Sequence, residues 1–147
     1  MICGGYSMWT VKLPLAVPVS SRKWMWLNLN VYRNAHHREL DAAKKEFTKR
    51  VLPLVEDLPK LERVLIAYIL YTPTKRSCDV ANICTIVDKF FCDTLVKAGK
   101  IADDNRKILP IIAFRDGGVD NTNPRVDALI HSIGPNTDLT LTEGPVS

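Results

Sequence analysis

The chain has 147 residues, of which 46% are hydrophobic and 24% are charged, and its formal net charge is +4. This composition is typical of a soluble globular domain and excludes a disordered chain. The longest strongly apolar run, VLIAYILY at 64–71, is too short to span a bilayer. Lys12, Pro14 and Pro18 interrupt the N-terminal region in which a secretory signal would need an unbroken apolar stretch.

We therefore expect an intracellular, cytoplasmic protein with one domain over residues 1–133 and a flexible tail over 134–147. Basic residues are concentrated in the first third, since residues 1–50 hold nine Lys and Arg against three Asp and Glu. Such an uneven distribution indicates a face that binds a polyanion. The cysteines form no C-x-x-C pair and no zinc spacing with histidine: Cys3, Cys78, Cys84 and Cys92.

The N-terminal half predicts one strand and one helix. WTVKL at 9–13 predicts a strand that ends at Pro14. The segment at 17–37 has no clean period, and we interpret it as a long loop or an irregular strand pair. A helix over 35–52 is predicted from apolar residues at helical spacing, with Asn34 as N-cap and a stop before Pro53.

The C-terminal half predicts a central strand, a second helix and two further strands. RVLIAYILY at 63–71 is apolar on both alternating sides, which indicates a strand covered on both faces. A second helix follows Asp79 and ends at Ala98, with Gly99 as its C′ residue. Strands are predicted at 107–114 and 125–133, with a turn-rich connection between them. The fold class is therefore α/β, with α+β character: two principal helices on one mixed sheet.

Acidic residues stand at both ends of this second helix. Asp79 precedes its first turn, and Asp103 and Asp104 follow its glycine stop. Carboxylates that converge there would bind Mg²⁺, which can activate water and stabilise a leaving oxygen, and Lys89 could offset the charge on a phosphate. The alternative is that Asp79 only caps the helix while the other two acids lie in a turn, and on spacing alone this is the commoner case.

The run from Asp79 to Asp104 resembles the signature of the RusA-type Holliday-junction resolvases. That signature has an Asp-x-Asp-Asn opening, a helix with a Lys and a later Asp, then Leu-x-x-Ala-Gly and a closing Asp-Asp. The matching stretches here are DVAN, DKFFCDTLVKAG and KIADD. LNLNVYRNAHH, nearer the N-terminus, resembles the Asn- and Arg-bearing segment of phage members of the family.

This resemblance implies a homodimeric, magnesium-dependent endonuclease that cuts four-way and other branched DNA by paired, symmetrical nicks. Mn²⁺ would substitute for Mg²⁺, no organic cofactor would be needed, and a phage-encoded enzyme would act in the host cytoplasm. Asp79 matches the first ligand-type aspartate, Asp104 the last, and Asp103 the aspartate beside it. Lys89 matches the functional lysine of the family.

Two departures from the family pattern matter. The interval from Asn82 to Asp93 is longer by about four residues, close to one helical turn. Ala81 stands where the family has its second metal-binding aspartate, so the resemblance implies a site that lacks one ligand. Asp88 lies about 10 Å farther along the helix and is too distant to replace that ligand. We expect weak Mg²⁺ binding, near-complete loss of cleavage and retained DNA binding.

Three explanations remain open at this point. The chain is an inactivated variant in which alanine replaces the aspartate, or a noncatalytic DNA-binding protein with a native Ala81, or an unrelated α/β domain. Candidate DNA contacts are Lys75, Arg76, Arg22, Lys23, Arg33, Asn30 and Asn82. Trp24, Trp26 and Tyr32 either stack on exposed bases or serve as a structural or dimer contact, with about equal weight.

Overall fold

A four-stranded mixed sheet forms the centre of the protein. The structure is a computed structural model that describes residues 7–75, 79–134 and 137–139. The sheet order is β1-β6-β4-β5, in which only the β4–β5 pair is parallel. Its strands are β1 (Met8–Leu13), β4 (Val64–Thr72), β5 (Ile111–Val119) and β6 (Arg125–Ser132).

Three helices and a short hairpin complete the described part of the fold. The hairpin pairs β2 (Ala16–Pro18) with β3 (Trp24–Trp26), and the helices are α1 (Leu29–Asn34), α2 (His37–Val55) and α3 (Val80–Lys97). The coarse prediction of one small mixed α+β domain is confirmed. The prediction of two principal helices omitted α1. This helix has only six residues, and none of them is buried, so the sequence shows no apolar period there. The homodimer stays a prediction.

Burial alternates along β4, the central strand. Val64, Ile66, Tyr68 and Leu70 are buried beneath the helices, while the residues between them are only half-buried. The prediction that both faces of this strand are covered was therefore wrong. The sequence is apolar on both sides, but the described helices pack on one side of the sheet only.

Helix α2 differs from its prediction at both ends. Its N-cap is His36, whose side chain accepts the Arg38 N–H at 3.2 Å, because Asn34 instead ends α1. The helix continues through Pro53 to Val55. Pro53 removes one backbone donor and is exposed, whereas Val55 is fully buried, so core packing holds the last turn helical.

Strand β5 runs through a pair of glycines that the sequence analysis assigned to a turn. It begins at Ile111 instead of 107 and extends to Val119. A β-bulge shifts its register against β4 at this point, and Gly118 has a φ of +95°. A Cβ on Gly117 would lie 2.7 Å from Ile69 Cγ2, so glycine permits close strand approach here.

The remaining predictions concern β6, the segment 17–37 and the C-terminal tail. β6 agrees with the strand predicted at 125–133, and within 17–37 the strand-pair alternative is confirmed only as far as Trp26, since Leu29–Asn34 form α1. Arg63 donates from Nη1 to the carbonyl oxygens of Gly134 and Thr137 at 3.0 and 2.8 Å. The other residues of the predicted tail, 135, 136 and 140–147, lie outside the described residues. In the described ranges, no helix is long and apolar enough to cross a membrane.

Candidate functional site

The N-terminal end of α3 lies at the carboxyl edge of the parallel β4–β5 pair, where α/β proteins place their ligands. Asp79 is the N-cap residue, and its side chain accepts the Ala81 N–H at 3.1 Å. The Asn82 N–H donates to the Asp79 carbonyl oxygen at 3.0 Å. The capping role proposed as the structural alternative is therefore present, and the Asp79 carboxylate remains exposed to solvent.

Ala81 is exposed in the first turn of α3 and contributes no ligand. Residues seven apart lie on the same side of a helix, so Ala81 and Asp88 share one side of α3 about 10.5 Å apart. An aspartate at position 81 would lie near the positive end of the helix dipole, which favours a carboxylate there. The site therefore has room and a favourable potential for the residue that the family pattern contains.

Asp88 forms a polar cluster in the middle of α3. The Tyr68 hydroxyl donates to Asp88 Oδ1 at 2.6 Å, and the Cys92 thiol donates to the same oxygen at 3.3 Å. Burial raises the pKa of Asp88, the two hydrogen bonds oppose that rise, and the charge of Asp104 adds to it. Burial also raises the pKa of Tyr68 and of Cys92. This cluster was missed because Tyr68 joins it through tertiary packing alone.

The segment beyond Gly99 returns to α3. Gly99 has a φ of +72°, which allows the chain to reverse there. Asp103 accepts the Asp104 N–H at 2.8 Å and an Asn105 side-chain N–H at 3.1 Å, and these bonds lower the pKa of Asp103. The charge of Asp104 also raises the pKa of both Asp88 and Cys92, although burial is the larger cause in each case.

Asp79 and the Asp104 segment stand at different levels of α3. Asp88 lies about 13.5 Å along the helix axis from Asp79. Among the residues described, no hydrogen bond joins Asp79 to Asp103 or Asp104, and no group of three or more His, Cys, Asp or Glu side chains is placed to hold a metal ion. This arrangement does not supply a complete magnesium site, so it supports no step routed through a bound ion. That these three aspartates share an ion stays a prediction.

Lys89 lies beside α1. Its Nζ is 5.7 Å from the centroid of the Tyr32 ring, and Tyr32 in turn meets the edge of Phe90 at 6.4 Å between ring centroids. The lysine is exposed and about 15 Å along α3 from Asp79. Its matched role as a functional lysine stays a prediction.

The predicted DNA contacts lie at the sheet edge beside α3, in the β2–β3 turn and on α1. Lys75 is exposed at the carboxyl edge of β4, and Asn82 is half-buried in the first turns of α3. Arg22 and Lys23 occupy the β2–β3 turn, where Lys23 pairs with Glu39 at 2.7 Å. The remaining two described candidates, Asn30 and Arg33, are exposed on α1. Arg76 lies outside the described residues.

An ion-pair network at the same sheet edge was also missed. Arg125 binds Asp120 and Asp127 at 2.8 Å each, and its guanidinium lies 4.2 Å from the centroid of the Tyr71 ring. The Asp120 N–H donates to the Thr72 carbonyl oxygen at 2.8 Å, which ties the ends of β4 and β5 together. The sequence signal for this network was the spacing of Arg125 and Asp127, which are two residues apart and therefore on one face of a strand.

Comparison with protein-family models finds no match for this chain, and comparison with curated proteins finds no similar protein. The family resemblance therefore depends on the residues themselves, and most specifically on the segment 79–105.

Proposed function

We propose that this chain is a RusA-like, structure-selective endonuclease for four-way and other branched DNA, with cleavage impaired because Ala81 replaces a metal-binding aspartate. One observation supports the proposal: Asp79 caps the start of α3, and beyond the Gly99 stop the charge of Asp104 acts on Asp88 of that helix. The first aspartate of the family signature therefore caps α3, and the closing pair lies in the segment beyond its end.

The roles proposed for the residues follow the sequence match. Asp79 and Asp104 are the ligands for Mg²⁺ or Mn²⁺, with Asp103 beside them, and Lys89 offsets charge on the cleaved phosphate. The ion would supply an activated water and charge neutralisation. With Ala81 in place, we expect the chain to hold a junction without cutting it.

DNA binding is proposed to depend on the backbone and the branched shape. Exposed cations at the sheet edge and on the N-terminal segment, including Lys75, Arg22 and Arg33, suit phosphate contacts. Two opposed strands would be cut by two equivalent sites, which requires a homodimer with a two-fold axis. The proposed location is the cytoplasm of the host cell.

A second candidate is a noncatalytic protein that binds branched DNA and has alanine as its native residue 81. The N-cap geometry favours this candidate, because Asp79 caps α3 through the Ala81 backbone N–H and has a complete structural role without any metal. Both candidates bind junctions, and they differ in what an aspartate at position 81 would do.

A gel-shift titration tests the shared part of the proposal. A four-way junction and a linear duplex of the same sequences are compared at two salt concentrations, since phosphate contacts make affinity fall with salt. We expect tighter binding of the junction at both concentrations. Equal affinity for both DNAs would contradict the proposal.

A matched pair of variants locates the contact surface. Lys75→Gln, at the carboxyl edge of β4, should weaken junction binding and reduce the salt slope by about one. Lys60→Gln removes an exposed lysine close to the opposite end of β4 and should change neither. Equal losses of junction affinity in the two variants would show that Lys75 makes no specific contact with the DNA.

A further inference from the structure

The β2–β3 hairpin presents two tryptophans to solvent. Trp24 and Trp26 are two residues apart on β3, so they share one face, and each is 56% exposed. Met25, between them, is buried against the core. Their cross-strand partners are Pro18 and Ala16, which are too small to cover an indole ring. The two indoles therefore form an exposed aromatic ridge.

A cleft lies on each side of this ridge. The first, of about 420 Å³, lies between the ridge and α2, and its lining includes Lys12 and Arg50 but no Asp or Glu. The second, of about 470 Å³, lies toward α1, and its lining includes Asn30, Asn34 and the ion pair of Lys23 with Glu39. Both volumes are within the range of ligand clefts.

The two cations beside the ridge differ in how they are held. Arg50 lies 5.5 Å from the Trp24 ring, and its Nε donates to Glu46 Oε1 at 3.0 Å. Lys12 is exposed and has no ion pair within the described part of the chain. Flat aromatic faces next to cations complement a partner with both rings and negative charge.

The ridge follows the carboxyl end of β1, which lies at the same end of the four-stranded sheet as the carboxyl end of β4 that precedes α3. Leu13, the last residue of β1, is in register with Val126 of β6, and Val126 is in register with Leu70 near the end of β4. Two strand spacings separate β1 from β4, which is about 10 Å.

We propose that Trp24 and Trp26 form a stacking platform for unpaired bases of a DNA strand, with Lys12 and Arg50 contacting its phosphates. This platform deepens the proposed function, because the unpaired bases would be those exposed where a branched DNA opens. Stacking on aromatic rings tolerates any base, which suits recognition of shape without sequence.

Fluorescence anisotropy with a labelled oligothymidylate tests the platform directly. Trp24→Ala and Trp26→Ala should each lower the association constant about tenfold or more. Met8→Ala is the matched control, since Met8 is also 56% exposed but stands at the start of β1, and it should bind like the native chain. Thermal melting confirms that each variant is folded, and Trp24→Phe should restore part of the binding. Unchanged affinity in folded Trp24→Ala and Trp26→Ala would overturn the proposal.

An abasic oligonucleotide of the same length separates stacking from charge. It should bind more weakly than the oligothymidylate and should not respond to either tryptophan substitution. Equal binding of the two oligonucleotides would overturn the platform, and so would variants that lose self-association while oligothymidylate binding stays unchanged.

Failure of the platform and failure of the proposed function give different results. Junction preference that survives in both tryptophan variants, together with unchanged oligothymidylate binding, removes the platform only. Oligothymidylate binding that depends on the tryptophans, in a chain without junction preference, supports the platform and removes the proposed function.

Discussion

The N-terminal end of α3 and its middle differ in what their polar residues contact. At the end, Asp79 and Ala81 are exposed, and the Asp79 side chain and carbonyl oxygen accept N–H groups from the first turn of the helix. In the middle, Asp88 lies against the core, with hydrogen bonds from Tyr68 and Cys92 on one oxygen.

This difference separates residues available for a ligand from residues committed to the fold. Substitutions at the N-terminal end of α3 should change DNA binding or cleavage with little loss of stability. Substitutions in the middle should cost stability, because they disturb buried groups. The family signature spans both regions, so variants along one helix can separate the two kinds of effect.

The largest expected effect is in the aromatic cluster at the middle of α3. Phe90 is 2% exposed and contacts Phe47 of α2, with 5.6 Å between ring centroids, as well as Tyr32 of α1. Phe90→Ala should lower the free energy of unfolding by about 3–5 kcal/mol. Val96→Ala, on the exposed side of the same helix, should change it by about 0.5 kcal/mol at most. Urea denaturation measures both changes. Similar losses would contradict the difference in burial between Phe90 and Val96.

The next effect removes one hydroxyl group. Tyr68→Phe leaves Asp88 without its 2.6 Å hydrogen bond in a buried setting, which should cost about 1.5–3 kcal/mol. Tyr71→Phe is the control on the same strand, because its ring lies on the opposite, half-exposed face, and should be nearly neutral. Equal stability of the two variants by urea denaturation would show that the Asp88 cluster contributes nothing to folding.

A smaller effect is expected at the N-cap. Asp79→Ala removes the capping oxygen and should cost about 1 kcal/mol, whereas Asp79→Asn keeps an acceptor and should cost only a few tenths. Both variants remove the proposed ligand charge. In a chain that carries Ala81→Asp, both should therefore abolish nicking while only Asp79→Ala loses stability. Nicking that survives in either variant would exclude Asp79 as a ligand.

Stability measured over a series of pH values tests the direction in which the pKa of Asp88 is shifted. Burial raises its pKa in the folded protein above the ordinary value of an aspartate. The stability it contributes is therefore fully present below its unfolded pKa and is lost as pH rises through the folded pKa. Native stability should therefore fall relative to Asp88→Asn as pH rises from about 3 toward neutrality. Asp93→Asn removes an exposed carboxylate from the same helix as a control. A difference that does not vary with pH would contradict the burial of a titrating Asp88.

Helix α3 could be predicted closely because its signals are local. Apolar spacing, the Asp79 cap and the Gly99 stop lie within one continuous segment, and the structure confirms all three. The glycines of β5 were misinterpreted because glycine serves turns and bulges equally well. Only the neighbouring Ile69 and Tyr71 side chains show that a close approach needs Gly117.

The candidate site was harder to predict than the helix that carries it. Residue types and order placed Asp79 before the helix and Asp104 beyond its glycine stop, and the structure agrees to that extent. The level at which Asp104 returns depends on how the loop after Gly99 packs, which no local pattern specifies. The extra four residues between Asn82 and Asp93 add about 6 Å of helix between its two ends.

The most direct test of the central claim is a nicking assay on a four-way junction with Ala81→Asp. Ala81→Asn is the matched control, since it has nearly the same shape without the charge. With Mg²⁺ present, we expect Ala81→Asp to produce paired nicks that a chelator abolishes, while the native chain and Ala81→Asn leave the junction uncut. An Ala81→Asp protein that is folded, binds the junction and still produces no nicks would contradict the claim that one missing carboxylate separates this chain from an active endonuclease.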